Sequence, residues 1–179
     1  MIADGAVEVV PYNPRWPRMF EELRAVLQNA LGVSCRRIEH VGSTSVPGLV
    51  AKPIIDLDAV VATEDLRPAI EFLARLGYIH QGNLGIRGRE AFDREAEDVP
   101  RAGCKRTWPA HHLYVCPEDS PELARHLAFR DCLRENPEIA KQYAELKSDL
   151  SKRYKLDRQA YTLAKTSFIE NTLRLNAVC

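Results

Sequence analysis

The chain has 179 residues, 45% apolar and 28% charged, the make-up of a globular protein that can bury a core without staples. Its 25 Lys plus Arg balance 25 Asp plus Glu, so no general attraction to nucleic acid or an anionic membrane is expected, and any basic site must be local. Cys35, Cys104, Cys116, Cys132 and Cys179 are scattered without a CxxC pair, which argues against a disulfide framework or structural zinc and for a reducing compartment. No apolar run reaches the roughly 18 residues of a membrane span, and an acid stands near the N-terminus where a signal peptide carries basic residues; the expectation is a cytoplasmic protein.

Val7 to Val10 is a short apolar segment. Asn13 then stands as a helix cap with Pro14 or Pro17 in the first turn, and Met19, Leu23, Val26, Leu27 and Ala30 form the buried stripe of a helix ending at Gly32. Trp16 is read as a packing anchor. A strand from Arg37 to Val41 enters the turn Gly42-Ser43-Thr44-Ser45, and Pro47-Gly48 reverses the chain before an apolar run, Ile54 to Val61, that holds Asp56 and Asp58. Thr63 caps the next helix, with Leu66, Ile70 and Leu73 as its apolar face, ending at Gly77.

Residues 81–110 show no sustained period and are expected as long loops around one or two short strands, with local positive charge from Arg87, Arg89, Arg94, Arg101, Lys105 and Arg106. His111 to Cys116 is a strand stopped by Pro117. Three helices follow, capped by Ser120, Asn136 and Asp157, the first two with proline at their first position. The expected architecture is α/β (α+β): one domain over 1–179, with a mixed sheet flanked by helices in 1–117 and a C-terminal helical layer in 118–179.

A carboxylate inside a strand costs several kcal/mol unless it is paired or binds a cation. Asp56 and Asp58 share one face, roughly 7 Å apart, while Ile55, Leu57 and Ala59 share the other. Two such carboxylates repel unless a divalent cation lies between them, and oxygen ligands suit Mg²⁺ or Mn²⁺. The turn before them offers backbone N–H groups and the Ser43 and Thr44 hydroxyls to a polyphosphate, and Gly42 lets the backbone approach closely. The combination points to a nucleoside triphosphate and a metal-assisted transfer. The bland alternative is a capped turn beside an exposed strand edge.

Gly42-Ser43, twelve residues, then Asp56-Leu57-Asp58 resembles the signature of the DNA polymerase beta type nucleotidyltransferase superfamily. The longer stretches HVGSTSVPGL, AKPIIDLDAVV, GIRGREAF, HHLYV, HLAFRDCLRENPEIAKQYAELK and YTLAKTSFIE resemble the GrpB family of that superfamily, over about Val7 to Leu173. The resemblance implies a nucleotidyltransferase-like fold and, as an expectation, nucleotidyl transfer to a small acceptor. The superfamily usually supplies a third carboxylate from a neighbouring strand, whereas this chain has HHLYV there. His112 is favoured over His111 to face the aspartates, because the face of His111 carries Leu113 and Val115.

His112 is then a metal ligand, which admits Zn²⁺ beside Mn²⁺, a base for the acceptor's proton, or a paired structural histidine; Glu90 is the other source of the missing charge. His126 with Arg130, Tyr143 with Lys147 and Tyr161 with Lys165 are i, i+4 pairs that match the family motifs, and each is either a nucleotide contact or a solvated helix face. Lys52, Arg87 and Arg89 are further phosphate candidates, and His40 is placed to fix the shape of the turn. Two other functions stand beside transfer: a non-catalytic nucleotide- or metabolite-binding module, and ATP-dependent condensation through an adenylylated intermediate. Nucleic-acid polymerisation is not expected, there being no basic track or stacking series. Oligomeric state, nucleotide and acceptor are not specified by the sequence.

Overall fold

The computed structural model describes residues 6–103 and 106–176. Helix α1 (Trp16–Leu31) buries Trp16, Phe20, Leu23, Leu27 and Leu31; of the stripe expected from periodicity Leu23 and Leu27 are buried, while Met19, Val26 and Ala30 are partly buried at its edge, so the buried face is turned toward Phe20 and Leu31. Asn13 does accept from the Arg15 amide at 3.0 Å, one turn ahead of the regular helix. Strands β1 (Cys35–Val41) and β2 (Ile55–Val61) follow, then α2 (Leu66–Arg75), β3 (Tyr78–His80), β4 (Glu90–Arg94) and β5 (His111–Pro117). The last third is helical: α3 (Pro121–Glu135), α4 (Pro137–Arg153), α5 (Arg158–Ala164) and α6 (Thr166–Asn176).

The five strands form one mixed sheet in the order β1-β2-β5-β4-β3. Only β2 and β5 run parallel; the remaining neighbours are antiparallel. The Asp-bearing strand therefore lies inside the sheet, and its register sets Asp56 opposite His112 and Asp58 opposite Tyr114.

Alternation along β2 sorts its side chains. Ile55, Leu57, Ala59 and Val61 join Leu113 and Val115 of β5 against the stripes of α1 and α2 in the main core. Full burial of each such aliphatic side chain contributes about 1.5–3 kcal/mol, and the opposite parity is left for the other face. There Val60, Cys116 and Leu123 make a smaller cluster under α3, so Asp56 and Asp58 point into the seam between sheet and C-terminal helices.

Two apolar residues beyond the Gly42 turn, Val46 and Leu49, pack with Leu133 and Tyr143 of α3 and α4. Arg134 of α3 donates to the Ser45 carbonyl at 3.1 and 2.8 Å. The turn is thus fastened to the helices rather than left as a surface loop.

Several local expectations differ from what forms. The last helical run is two helices, interrupted at Lys165 with no Gly or Pro to mark the break. Ser120 and Asp157 cap through their side chains, onto the amides of Leu123 and Ala160. Asn136 instead donates to the Cys132 carbonyl, closing the end of α3, and Thr63 opens a short 3₁₀ turn without a side-chain cap. Strand β3 arises from Tyr78–His80, too short to carry a period. Cys35, Cys116 and Cys132 are free and buried, whereas Cys104 and Cys179 lie outside the described residues. Among the described residues no helix is long and apolar enough to cross a membrane.

Candidate functional site

The turn after β1 brings backbone and carboxylate together. Gly42 has φ +69° and ψ −174°, a conformation that side chains rarely adopt, and a Cβ there would overlap Asp56 Oδ2 and sit 2.9 Å from its Cγ. Behind it, His40 stacks on Phe20 and bonds Thr44 Oγ1 at 3.1 Å, and the Thr44 hydroxyl donates to the Ile54 carbonyl. Burial pushes His40 down to about 4, as befits a neutral latch that holds the turn to β2. Its expected role in shaping the turn is what the contacts provide.

Asp56 Oδ1 is 2.8 Å from His112 Nδ1, and Arg158 lies 3.1 Å from His112 Nε2. A guanidinium has no acceptor, so Nε2 accepts and the proton sits on Nδ1, donated to Asp56. Both ring nitrogens are thereby engaged, and His112 orients the carboxylate. Burial raises the pKa of Asp56, but the His112 bond and Lys52 outweigh it and leave the group below its ordinary value. His111 points the other way, bonded to the Tyr78 hydroxyl at 2.6 Å and to the Pro109 carbonyl at 2.8 Å, as the strand alternation predicts.

Asp58 is fully buried, and its Oδ2 is 2.7 Å from His126 Nδ1; His126 Nε2 is 3.1 Å from Glu122 Oε1. Two carboxylates on two ring nitrogens make His126 a double donor, an imidazolium. Burial opposes that charge, yet the bonds to Asp58 and Glu122 raise its pKa to about 9. Arg125 closes the group, reaching both Glu122 oxygens at 2.8 Å. Arg89 lies 4.4 Å over the Tyr114 ring and 3.9 Å from Glu122.

Each aspartate thus has one oxygen held by a histidine. Asp58 Oδ1 is buried without a partner, and no hydrogen bond reaches Asp56 Oδ2 among the described residues. Among those residues no group of three or more His, Cys, Asp or Glu is disposed to hold a metal. Asp56 Oδ2 and Asp58 Oδ1 are the oxygens that would hold a magnesium-like ion, which takes one or two carboxylates. Asp56 lines the larger cavity beside it, whereas Asp58 is fully buried and lines neither that cavity nor the smaller one adjoining it.

Beside Asp56 opens a cavity of about 300 Å³, walled by Gly42, Ser43, Thr44, Lys52, Ile54, Asp56, His112, Tyr114, Tyr143, Lys147, Arg158, Tyr161, Thr162 and Lys165. Four of these are cations, and among the described residues none of Lys52, Lys147, Arg158 and Lys165 forms a salt bridge. Lys147, only 2% exposed, donates to Ser43 Oγ at 2.9 Å and to the Val50 carbonyl. Lys165 and Lys52 lie 4.3 and 5.4 Å from the centre of the Tyr161 ring, and Lys147 lies 4.8 Å from that of Tyr143. Burial, then Lys165, lowers Lys147 to about 7; burial, then Lys52 and Arg158 against the opposing Asp56, lowers Lys165 to about 8. Burial, then Arg158, lowers Lys52 too, with Asp56 opposing. A cluster of cations held below their usual range is short of negative charge.

A second cavity, of about 150 Å³, shares Gly42, Ser43 and Tyr143 with the first and is otherwise lined by Arg125, His126, Phe129, Arg130, Leu133 and Ile169. Its cations are all paired: Arg130 with Glu39 and Asp131, both at 2.7 Å, His126 with Asp58 and Glu122, and Arg125 with Glu122.

Of the residues singled out from sequence, Gly42, Ser43, Thr44, Lys52, Asp56, His112, Tyr143, Lys147, Tyr161 and Lys165 meet at the first cavity. His126 and Arg130 belong to the second. Arg89 sits behind Tyr114, while Arg87 is exposed on the 82–89 loop and lines neither cavity. Glu90 bonds His80 at 2.6 Å and lines neither cavity. Arg158 and Glu122 were missed. Arg158 carried a signal, since it precedes Tyr161, Thr162 and Lys165 by three, four and seven residues on one helix face.

A sequence profile described as GrpB protein matches residues 6–175. YqkA of Bacillus subtilis is 37% identical over 165 residues, 92% of this chain but 45% of YqkA, so the chain spans less than half of that relative. The crystal structure of GrpB from Enterococcus faecalis superposes with a TM-score of 0.77 at 35% identity, covering 93% of this chain and 95% of that one. The Cid1 poly(U) polymerase overlaps more loosely, with a TM-score of 0.44 at 11% identity over 78% of this chain and 44% of Cid1, and that likeness decides nothing about chemistry.

Proposed function

Since the chain belongs to the GrpB family, we propose that it binds a nucleoside triphosphate in the larger cavity and transfers its nucleotidyl group to a small-molecule acceptor. The observation that carries this reading is the convergence of Lys52, Lys147, Arg158 and Lys165, none salt-bridged among the described residues, on the Ser43 turn beside Asp56. Buried cations without carboxylates are costly, and a bound polyphosphate is the anion whose charge and length match four of them in one cavity. Mg²⁺ or Mn²⁺ held by Asp56 Oδ2 and Asp58 Oδ1 would neutralise charge on the phosphates.

The remaining roles fall to the chain's own residues. Ser43 and the Gly42 turn hold phosphate oxygens, and Lys147, anchored on Ser43, neutralises them from below. His112, backed by Arg158, and His126, backed by Glu122, keep the two carboxylates on the reacting side. In the transfer the acceptor's oxygen or nitrogen bonds to the α-phosphorus, the bond from that phosphorus to the diphosphate breaks, and the acceptor's proton ends on the released diphosphate. Positioning and charge neutralisation are most of such a reaction.

Calorimetric titration with ATP, CTP, GTP and UTP, each with and without Mg²⁺ or Mn²⁺ and paired with a pyrophosphate assay, tests the proposal. Saturable binding lost in Lys147→Met and Lys165→Met is expected, with pyrophosphate released only when an acceptor is present. Binding without pyrophosphate under any acceptor would make the protein a nucleotide-binding module, and absence of triphosphate binding would refute the reading.

A further inference from the structure

The two cavities share the Gly42–Ser43 turn and Tyr143 as a common wall but differ in chemistry. The larger one gathers four cations that form no salt bridge among the described residues, with Asp56 as the carboxylate in its wall. In the smaller, every lining cation already has a carboxylate partner: Glu39 and Asp131 hold Arg130, Asp58 and Glu122 hold His126, and Glu122 holds Arg125. A polyphosphate placed there would meet four nearby carboxylates as well as the cations, so charge sends it to the larger cavity. The smaller cavity's remaining walls are Phe129, Leu133, Ile169 and the Tyr143 ring, with Phe129 edge-on to Tyr143 at 5.1 Å.

In-line phosphoryl chemistry puts the attacking group and the leaving diphosphate on opposite sides of phosphorus. With the diphosphate held by the cations of the larger cavity, the attacking group has to come from a neighbouring space away from them. The smaller cavity adjoins the larger at Gly42, Ser43 and Tyr143, and its His126 is bonded to Asp58. We propose that the second cavity is the acceptor site, built for an uncharged or singly anionic molecule that presents a hydroxyl or amine on a compact apolar body.

Arg125 uses Nε and Nη2 on Glu122, and no hydrogen bond reaches its Nη1 among the described residues, which leaves one donor edge for a polar group on that molecule. A phosphorylated acceptor fits poorly, because no lining cation lacks a carboxylate. The inference rests on the polyphosphate reading of the larger cavity.

The experiment separates the two sites with two probes. Tripolyphosphate is titrated calorimetrically, and benzyl alcohol, 3-methylbutanol and glycerol are followed by saturation-transfer NMR, in the wild type and in Ile169→Trp, Phe129→Ala and Lys165→Met. The first two alcohols are expected to bind the wild type and glycerol not. Ile169→Trp, which fills the cavity from α6, is expected to weaken them at least tenfold more than it changes tripolyphosphate affinity, and Lys165→Met to do the reverse. Alcohols that bind Ile169→Trp as well as wild type, or that fail to bind while tripolyphosphate binds, would overturn the acceptor site alone. Tripolyphosphate failing to bind the wild type would refute the larger cavity's reading, and the acceptor assignment with it. Loss of both probes together in Ile169→Trp and in Lys165→Met would show a single undivided site.

Discussion

Replacing Lys147 by methionine should make the protein more stable and less able to bind its ligand. The side chain is 2% exposed and has no carboxylate partner among the described residues, and burial followed by the neighbouring Lys165 lowers it from 10.5 to about 7. At roughly 1.4 kcal/mol per tenfold change in proton affinity, that lowering sets a ceiling of ~5 kcal/mol on what retaining a lysine there costs the empty protein. Its bonds to Ser43 Oγ and the Val50 carbonyl return part of this, about 1 kcal/mol each. Lys147→Met, similar in length and uncharged, should then gain up to ~3 kcal/mol, a rise in Tm of up to roughly 6–12 °C for a chain of this size.

The sign fixes the pH dependence. Between about pH 7 and 10.5 the unfolded chain holds the proton that the folded one has lost, so wild-type stability rises with pH across that window. The variant's advantage is therefore full at and below about pH 7 and disappears toward pH 10.5. Thermal melts of both proteins from pH 6 to 10, with a parallel tripolyphosphate titration, measure it. A variant that is less stable at pH 7, or that binds tripolyphosphate as well as wild type, would refute the reasoning that a functional anion is missing from this cavity.

Gly42→Ala combines a positive-φ residue with a Cβ that meets Asp56, so it should lose about 2 kcal/mol or more in urea unfolding and displace the Asp56 carboxylate in a crystal structure. His126→Asn leaves the Asp58 and Glu122 carboxylates buried without their shared cation and should cost about 3 kcal/mol or more, with Asp58→Asn in the same chain restoring much of it. Tripolyphosphate affinity should fall from pH 7 to 9 as Lys147 and Lys165, at about 7 and 8, lose protons that the anion needs. Calorimetry in buffers of different ionisation enthalpy should accordingly show proton uptake on binding at pH 8, and none would contradict the assignment.

What could be read in advance followed periodicity and local chemistry. Period two along β2 placed Asp56 and Asp58 on one face and Leu57 in the core, because strand alternation needs no tertiary information. The same logic chose His112 over His111. The i, i+4 rule joined Tyr143 to Lys147 and Tyr161 to Lys165, both of which reach the cavity.

Helix-face spacing could not tell that His126 and Arg130 line a different cavity, since that depends on how α3 crosses the sheet. The pairing of His126 with Asp58 spans 68 residues, and nothing local encodes it. Arg158 escaped notice because a residue following a helix cap reads first as a helix starter. The break at Lys165 has no proline or glycine and arises where the chain turns Lys165 into the cavity.

Everything proposed for this protein depends on the four cations around Ser43 being a polyphosphate site beside the two aspartates. A crystal structure of the protein with a non-hydrolysable nucleoside triphosphate and Mn²⁺ tests it most directly. Phosphates are expected within hydrogen-bond reach of Lys52, Lys147, Arg158 and Lys165, with manganese on Asp56 and Asp58. Phosphates bound elsewhere, or a cavity that stays empty at saturating ligand, would contradict it.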